Sequence, residues 1–117
     1  MVLKFMDNKK DNAYYIKKII TDLAFVIRHT KDLTKKELEE NEILFDSVMF
    51  RLIQISENSD KLTEDFKFQY NTIPWRAIKG MRNRIVHEYG FIDLGVVYDT
   101  VKNDLPELLV ELNKIVY

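Results

Sequence analysis

The side chains with the clearest chemical potential lie close together in the sequence: Arg82, Asn83, His87 and Tyr89. An imidazole, with an ordinary pKa of about 6.5, can give or take a proton near neutral pH, and a guanidinium fork matches the oxygens of a phosphate. On a helix with about 100° per residue, Asn83 and His87 share a face, whereas Arg82 and His87 lie about 140° apart. Either the helix unwinds before Gly90, or two chains each contribute part of a site. A single histidine is more often structural or solvent-exposed than catalytic.

Arg82 occupies an unexpected position on the predicted helix. It falls near the middle of an apolar arc that contains Trp75, Ile78, Met81, Ile85, Val86 and Tyr89. An unpaired charge in a core is costly, so a chain avoids one unless the charge has a partner or a task. Three interpretations are open: Arg82 pairs with a buried carboxylate, for which Glu57 is the candidate; it reaches the rim of the core; or the arc is partly a subunit interface where Arg82 lines a polar cleft.

The charges of the chain are unevenly distributed. The formal net charge is -1, but the segment from Phe66 to His87 contains no acidic residue. Its basic residues are Lys67, Arg76, Lys79, Arg82 and Arg84. Acidic residues are close together elsewhere, at Glu37, Glu39, Glu40, Glu42 and Asp46. A basic segment can bind a polyanion locally although the whole chain is slightly acidic. An ordinary solvated helix face is the simpler explanation of the charges alone.

Helical periodicity predicts the elements that position these residues. The predicted helices run from about Asn8 to Arg28, from Thr34, from about Asn41 to Leu62, from Pro74 to Gly90, and from Asp93 through a kink or restart near Asp104. Thr34 and Glu37 have the spacing of a capping box, and Pro106 is the reason for the expected kink. The segment Thr63–Thr72 breaks the pattern and is predicted to be a loop. The sum is an all-α bundle of four or five helices.

Composition limits the class of protein. The 117 residues suit a single domain over 1–117, and 46% hydrophobic residues can form a core. The absence of Cys excludes disulfides and thiolate metal sites, and His29 and His87 are too far apart for a local metal motif. The stretch Met1–Met6 is too short for a secretory signal, and no apolar run reaches the roughly 20 residues that span a bilayer. We therefore expect a cytoplasmic protein with no membrane partner, no metal and no cofactor.

The string over residues 73–89, IPWRAIKGMRNRIVHEY, resembles the HepT family of HEPN domains. The motif of that family is Arg, four residues, His, one residue and Tyr, and here it reads Arg82, His87 and Tyr89. The stretch NDLPEL at residues 103–108 is also typical of the family. The resemblance extends over most of the chain, because the order of the predicted helices fits as well.

The resemblance implies a HEPN-type homodimer whose two motifs face each other across a cleft and cleave RNA without a metal. It also implies the toxin half of a toxin–antitoxin pair, with a minimal nucleotidyltransferase as the antitoxin and AMP transfer to Tyr89 as the linked modification. One region departs from the family. Members often have Gly-Glu-Ala on the third helix, whereas this chain has Ser56, Glu57 and Asn58. Glu57 is kept, and the packing beside it is expected to differ.

These residues suggest a mechanism as a hypothesis. Two His87 side chains of a dimer would share the general base and general acid roles, and Arg82 would stabilise the transition-state phosphate. Asn83 would orient His87 or hold a phosphate oxygen, and Glu57 would support Arg82. Tyr89 would stack on a base or bind the RNA backbone, and an AMP attached to Tyr89 would block the cleft. The remaining candidates for RNA binding are Arg76, Lys79 and Arg84.

Two alternatives belong to other classes of protein. In the first, the domain is a non-catalytic adaptor that binds a nucleotidyltransferase and cuts nothing. In the second, it is a structural helical dimerisation module, which leaves Arg82 on the apolar arc without an explanation. The sequence contains neither a phosphate-binding Gly-rich loop nor a Gly-x-Ser-x-Gly elbow.

Overall fold

Residues 10–115 are described in the computed structural model, and within that range the chain forms helices and turns but no strand. The long helices are α1 (Asn12–Thr30), α3 (Glu42–Asp60) and α5 (Trp75–Glu88), followed by the pair α6 (Leu94–Asp99) and α7 (Leu105–Asn113). Two short helices, α2 (Lys35–Glu40) and α4 (Glu64–Gln69), lie between them. The prediction of an all-α protein is confirmed.

Parts of three predictions lie outside the described residues. These are the first two positions of the first predicted helix at Asn8 and Lys9, the stretch Met1–Met6, and Val116, which helical spacing also places on the apolar face of the last predicted helix. Within residues 10–115, no helix combines the length and the apolar character needed to cross a bilayer.

Side-chain caps explain where most helices begin. The Asp11 carboxylate accepts from the Tyr14 amide at the start of α1, and the Asn41 side chain accepts from the Leu44 amide at the start of α3. At α2, Thr34 accepts from the Glu37 amide at 3.1 Å while Glu37 accepts from the Thr34 amide at 3.0 Å. This is the predicted capping box, which pairs two backbone donors that the helix itself leaves free.

The predicted loop over Thr63–Thr72 is wrong, because helix α4 occupies its first half. Thr63 caps this helix through the amide of Phe66, and Glu64 and Asp65 lie in its first turn, where a helix dipole favours negative charge. Phe66 is buried. One turn and a half is too short for its single core residue to produce a helical period, so the sequence pattern missed it. Counting α6 and α7 as one interrupted helix, the described chain has six helices rather than four or five.

The interruption between α6 and α7 confirms the predicted restart near Asp104. Residues Thr100–Asp104 form a π-helical turn, and the amide of Leu105 bonds to the carbonyl of Thr100 across it. Pro106 then lies in the first turn of α7, where its missing N–H is tolerated. The two segments therefore stay roughly continuous with one extra residue in the turn.

The core is built from the faces that α1, α3, α5 and α7 turn towards each other. α1 packs against both α3 and α7, and α5 packs on the other side of α3. Among the largest fully buried side chains are Ile16, Ile19, Leu23, Met49, Leu52, Ile55 and Leu112. One charged side chain is also buried: Asp22 of α1 accepts from Arg51 of α3 at 2.6 Å. Buried apolar residues at helical spacing on α1 and α3 thus form the centre of the bundle.

Candidate active site

Helix α5 carries the Arg–His part of the motif, and its start is fixed by Trp75. The indole N–H of Trp75 donates to the carbonyl oxygens of Lys67 and Tyr70, each at 3.2 Å, which ties α5 to the end of α4. Pro74 precedes the helix at the N-cap, one position before the predicted one. Burial of Ile78 and Ile85 then holds α5 against the core.

The end of α5 differs from the prediction. The helix stops at Glu88, and Tyr89–Phe91 continue as a 3-10 turn. Gly90 was expected to mark the end, but no described residue has a positive φ, so Gly90 does not act as a left-handed cap. The motif tyrosine therefore lies in a tighter turn than the rest of the motif, directly after the helix.

Arg82 and Glu57 form an ion pair between α5 and α3. The Nε of Arg82 donates to Oε1 of Glu57 at 2.9 Å, and Nη1 donates to Oδ1 of Asn83 at 3.3 Å. The side chains of Arg82 and Glu57 are 35% and 40% exposed, so the pair lies at the rim and not in the core. The apolar arc of α5 is accordingly incomplete, since Val86 and Tyr89 are exposed as well. Arg82 thus pairs with the predicted partner Glu57, but this carboxylate is not buried, and Arg82 also reaches the rim as the second interpretation expected.

The residues beside Glu57 are unusual. Ser56 and Asn58 are buried, and Ser56 Oγ and Asn58 Nδ2 have no hydrogen-bond partner among the described residues. Buried polar atoms without partners are rare in folded proteins and are destabilising. The two residues that flank Glu57 in the chain are therefore buried, with polar atoms that no described residue satisfies.

His87 is exposed in the last turn of α5 and makes no hydrogen bond to another described residue. Since α5 is helical through Glu88, it does not unwind between Arg82 and His87. At about 100° per residue the two side chains leave the helix about 140° apart, with Asn83 between them. The structure thus places Arg82, Asn83 and His87 on one exposed side of α5 but does not bring Arg82 and His87 into contact within one chain.

Tyr89 contacts the opposite end of the same helix pair. Its hydroxyl donates to the Asp46 carboxylate on α3, and its ring meets Phe45 edge-on at 6.3 Å between centroids. Tyr89 remains 43% exposed. Desolvation, the hydrogen bond to Asp46 and the charges of Asp46 and Glu42 together raise the pKa of Tyr89 to about 12. The phenol is therefore a firmly protonated donor near neutral pH.

Two polar contacts thus bracket the line along which α3 and α5 meet, here called the α3–α5 seam: Arg82–Glu57 at one end and Tyr89–Asp46 at the other. Between these ends the seam carries exposed apolar side chains, with Phe50 at 57% and Val86 at 46%. Side chains of this kind beside polar groups are typical of a surface that another molecule covers.

The predicted RNA-binding residues divide between two sides of α5. Arg76 and Lys79 are exposed. Around the helix they lie about 120° and about 60° from Arg82, respectively, in the direction of His87. Arg84 pairs with Glu88 at 3.3 Å and borders a groove of about 760 Å³ between α5 and the α6–α7 segment. The structure therefore separates Arg84 from the other two.

Asp46 is the residue that the sequence reasoning missed at this site. It was grouped with the acidic residues of the solvated face, although it precedes Glu57 by eleven residues, which is about three helical turns and almost the same side of α3. Phe50 and Ile53 lie between them on that side. The spacing of Asp46, Phe50, Ile53 and Glu57 on one side of α3 could have indicated that Asp46 belongs to the site.

No group of three or more His, Asp or Glu side chains within residues 10–115 is close enough together to hold a metal ion. The functional groups on the α3–α5 seam are a guanidinium, a phenol and two carboxylates, and the adjoining exposed side of α5 adds a carboxamide and an imidazole. Such groups can bind a phosphate and move protons.

The geometry defines a class of protein: an all-helical domain that exposes Arg82 and His87 on α5 and Tyr89 in the turn directly after it. The family model described as "Ribonuclease HepT-like" matches residues 19–115. The chain therefore belongs to the HepT-like family.

Individual relatives agree with this assignment. The chain is 33% identical over 107 residues to a Methanocaldococcus jannaschii protein named as a gamma-glutamylcyclotransferase and proposed RNase; the match covers 92% of this chain but only 48% of that relative. A shorter protein of the same organism, named as a proposed RNase, is 30% identical over 92% of this chain and 93% of its own length. A "Probable ribonuclease HepT" of Thermococcus cleftensis is 30% identical over 85% and 94%. No solved structure matches the chain significantly.

Proposed function

We propose that this chain is a metal-independent endoribonuclease and the toxin of a toxin–antitoxin pair. The observation that carries the proposal is the Arg82–Glu57 pair, which fixes the guanidinium of Arg82 at an exposed rim on the side of α5 that also carries Asn83 and His87. Nη2 of Arg82 makes no hydrogen bond to a described residue and is available to an anion. The names of the relatives in M. jannaschii and T. cleftensis support RNA as the substrate.

Cleavage would proceed by transfer to the neighbouring hydroxyl of the RNA. One His87 imidazole takes the 2′-hydroxyl proton, the 2′-oxygen attacks phosphorus, and the 5′-oxygen leaves with its electron pair. A second, protonated His87 gives that oxygen a proton. The products are a 2′,3′-cyclic phosphate and a 5′-hydroxyl. Arg82 stabilises the negative charge that develops on the phosphoryl oxygens.

A homodimer is part of the proposal because one chain has a single His87 and that histidine does not contact Arg82. Two copies that meet through the α3–α5 seam would cover Phe50 and Val86 and place both motifs at one cleft. Isologous contact of one surface with itself is the commonest arrangement of a dimer. A site built from two chains needs Arg82 and His87 to leave α5 in different directions, and this explains their wide separation within one chain.

Binding of RNA is assigned mainly to Arg76 and Lys79, which precede the motif and lie on the exposed side of α5 that carries His87. Cationic side chains on a surface bind the phosphate backbone with little dependence on sequence. Arg84 is the weaker candidate, because it faces the groove towards α6–α7 and is paired with Glu88.

Neutralisation is assigned to a minimal nucleotidyltransferase that transfers AMP to Tyr89. Tyr89 is exposed at the end of the seam, two residues after His87. An attached AMP would occupy the cleft and place a phosphodiester charge where the substrate phosphate must bind.

The activity is tested with purified chain and a small RNA in excess EDTA. We expect cleavage to 2′,3′-cyclic phosphate ends, and a loss of about 100-fold or more in kcat for Arg82→Ala and for His87→Ala, as removal of a transition-state donor or a proton-transfer group usually causes. His29→Ala is the matched control, since His29 is also exposed but lies on α1. Wild-type rates in Arg82→Ala or His87→Ala would refute the catalytic assignment. A wild-type chain that binds the nucleotidyltransferase but cuts no RNA would favour the adaptor alternative.

A further inference from the structure

The hydroxyl of Tyr89 has a specific partner. It donates a hydrogen bond to Asp46, and the edge-on contact with Phe45 holds the ring in place. Both partners lie on adjacent positions of α3, so a single turn of that helix orients the side chain. The phenol oxygen is thus directed at a carboxylate while the tyrosine stays exposed.

The phenol of Tyr89 requires a base in order to act as a nucleophile at this position. Tyr89 is protonated near neutral pH, because burial and the nearby acids raise its pKa to about 12. The fraction of phenolate is consequently very small, and a reaction at the oxygen is slow unless a base removes the proton as the new bond forms.

We propose that Asp46 is the general base for nucleotide transfer to Tyr89, an inference that rests on the proposed modification of this residue. Tyr89 Oη attacks the α-phosphorus of ATP, the bond to the bridging oxygen of pyrophosphate breaks, and pyrophosphate leaves with the electron pair. The phenolic proton passes to Asp46 Oδ1, the atom to which it is already hydrogen-bonded. The base is therefore supplied by the acceptor protein itself.

Other ionisable groups near Tyr89 are less well placed. From α3, Glu42 contributes a charge but no hydrogen bond to the hydroxyl. On α5, which ends directly before Tyr89, Glu88 is paired with Arg84, and the exposed His87 makes no hydrogen bond to Tyr89. Within residues 10–115, Asp46 is the acceptor to which the Tyr89 hydroxyl donates.

Asp46→Asn separates the role of a base from that of a structural anchor. The carboxamide oxygen of Asn still accepts the hydrogen bond, but it cannot take the proton. Glu42→Gln is the matched control, because it removes one negative charge near Tyr89 from the same helix without removing the hydrogen bond. The assay combines each chain with ATP and the nucleotidyltransferase encoded beside it, and follows AMP on the Tyr89 peptide by mass spectrometry from pH 6 to 9.

We expect Asp46→Asn to slow transfer by about 100-fold at pH 7, a typical contribution of a positioned base. The ratio of wild-type to Asp46→Asn rates should fall by up to about tenfold per pH unit, because hydroxide and phenolate replace the missing base as the pH rises. Taking a ratio cancels the pH dependence of the transferase. Glu42→Gln should stay within about threefold of wild type at every pH, since a nearby charge without a hydrogen bond has a modest effect.

The outcomes distinguish this inference from the function on which it rests. Asp46→Asn that accepts AMP at the wild-type rate, or at a lower rate with an unchanged pH profile, would leave Asp46 as an anchor and overturn the inference alone. The proposed modification of Tyr89 fails, together with the role of Asp46, in either of two cases. In the first, the wild-type chain accepts no AMP. In the second, the Tyr89→Phe variant accepts AMP as well as the wild-type chain does. Urea denaturation with a midpoint close to that of the wild-type chain verifies that Asp46→Asn is folded.

Discussion

At the scale of single residues, the position of Arg82 is explained by its partner. Glu57 receives the Nε hydrogen bond and so fixes the plane of the guanidinium, while Nη2 remains available to a substrate. A planar fork that is already oriented loses less freedom when it binds a phosphate. Glu57 is therefore a positioning residue, and the negative charge that it brings weakens the attraction of the site for RNA.

These two effects of Glu57 act on different kinetic constants. In Glu57→Gln we expect kcat for RNA cleavage to fall about tenfold because Arg82 is less well oriented. KM should stay equal or decrease, because a negative charge near the substrate is gone. Glu88→Gln is the control, since it removes the carboxylate of the Arg84 pair with the same change of charge. Steady-state kinetics on one RNA would check this, and a rise in KM at constant kcat would contradict it.

At the scale of helices, the long elements and the capped helix α2 could be predicted from the sequence, whereas α4 could not. Helices α1, α3 and α5 each have enough apolar repeats to reveal their period, and the Thr34–Glu37 box revealed α2. In contrast, α4 has one buried residue, Phe66, and depends on tertiary contacts for its stability. The features of the site also differ in whether the sequence could predict them. Positions along α5 follow from the sequence, whereas the Tyr89–Asp46 contact depends on how α3 lies beside α5.

The cap of α4 offers a direct measure of that tertiary dependence. Thr63 Oγ1 accepts from the Phe66 amide at 3.2 Å and from Asn12 Nδ2 at 3.1 Å, which joins α4 to the start of α1. We expect Thr63→Ala to lower the free energy of unfolding by about 1–2 kcal/mol, the usual effect of losing such a cap. Thr63→Ser keeps the hydroxyl and should remain within about 0.5 kcal/mol of wild type. Urea denaturation gives both values, and equal losses in the two variants would show that the methyl group matters instead of the cap.

At the scale of the whole molecule, the proposed reaction needs more than one chain. The Arg82 and His87 side chains leave α5 in different directions, and the apolar side chains Phe50 and Val86 are exposed on the seam between the two polar contacts. A chain with a formal net charge of -1 also has no general attraction for RNA. A two-fold arrangement would address all three points, because it pairs the motifs, covers the apolar side chains and joins two basic α5 surfaces.

Subunit mixing tests this arrangement without a structure of the dimer. Wild-type chain is held at a fixed concentration and His87→Ala chain is added. If each site needs His87 from both chains, random exchange should reduce activity to about one half at an equal amount and about one quarter at a threefold excess. Independent chains would keep full activity. The added His87→Ala chain could also lower the rate by binding the RNA. A higher RNA concentration would restore the rate in that case, whereas mixed dimers would stay inactive. The loss should also develop at the rate of subunit exchange, and activity that stays constant after complete exchange would refute the two-histidine site.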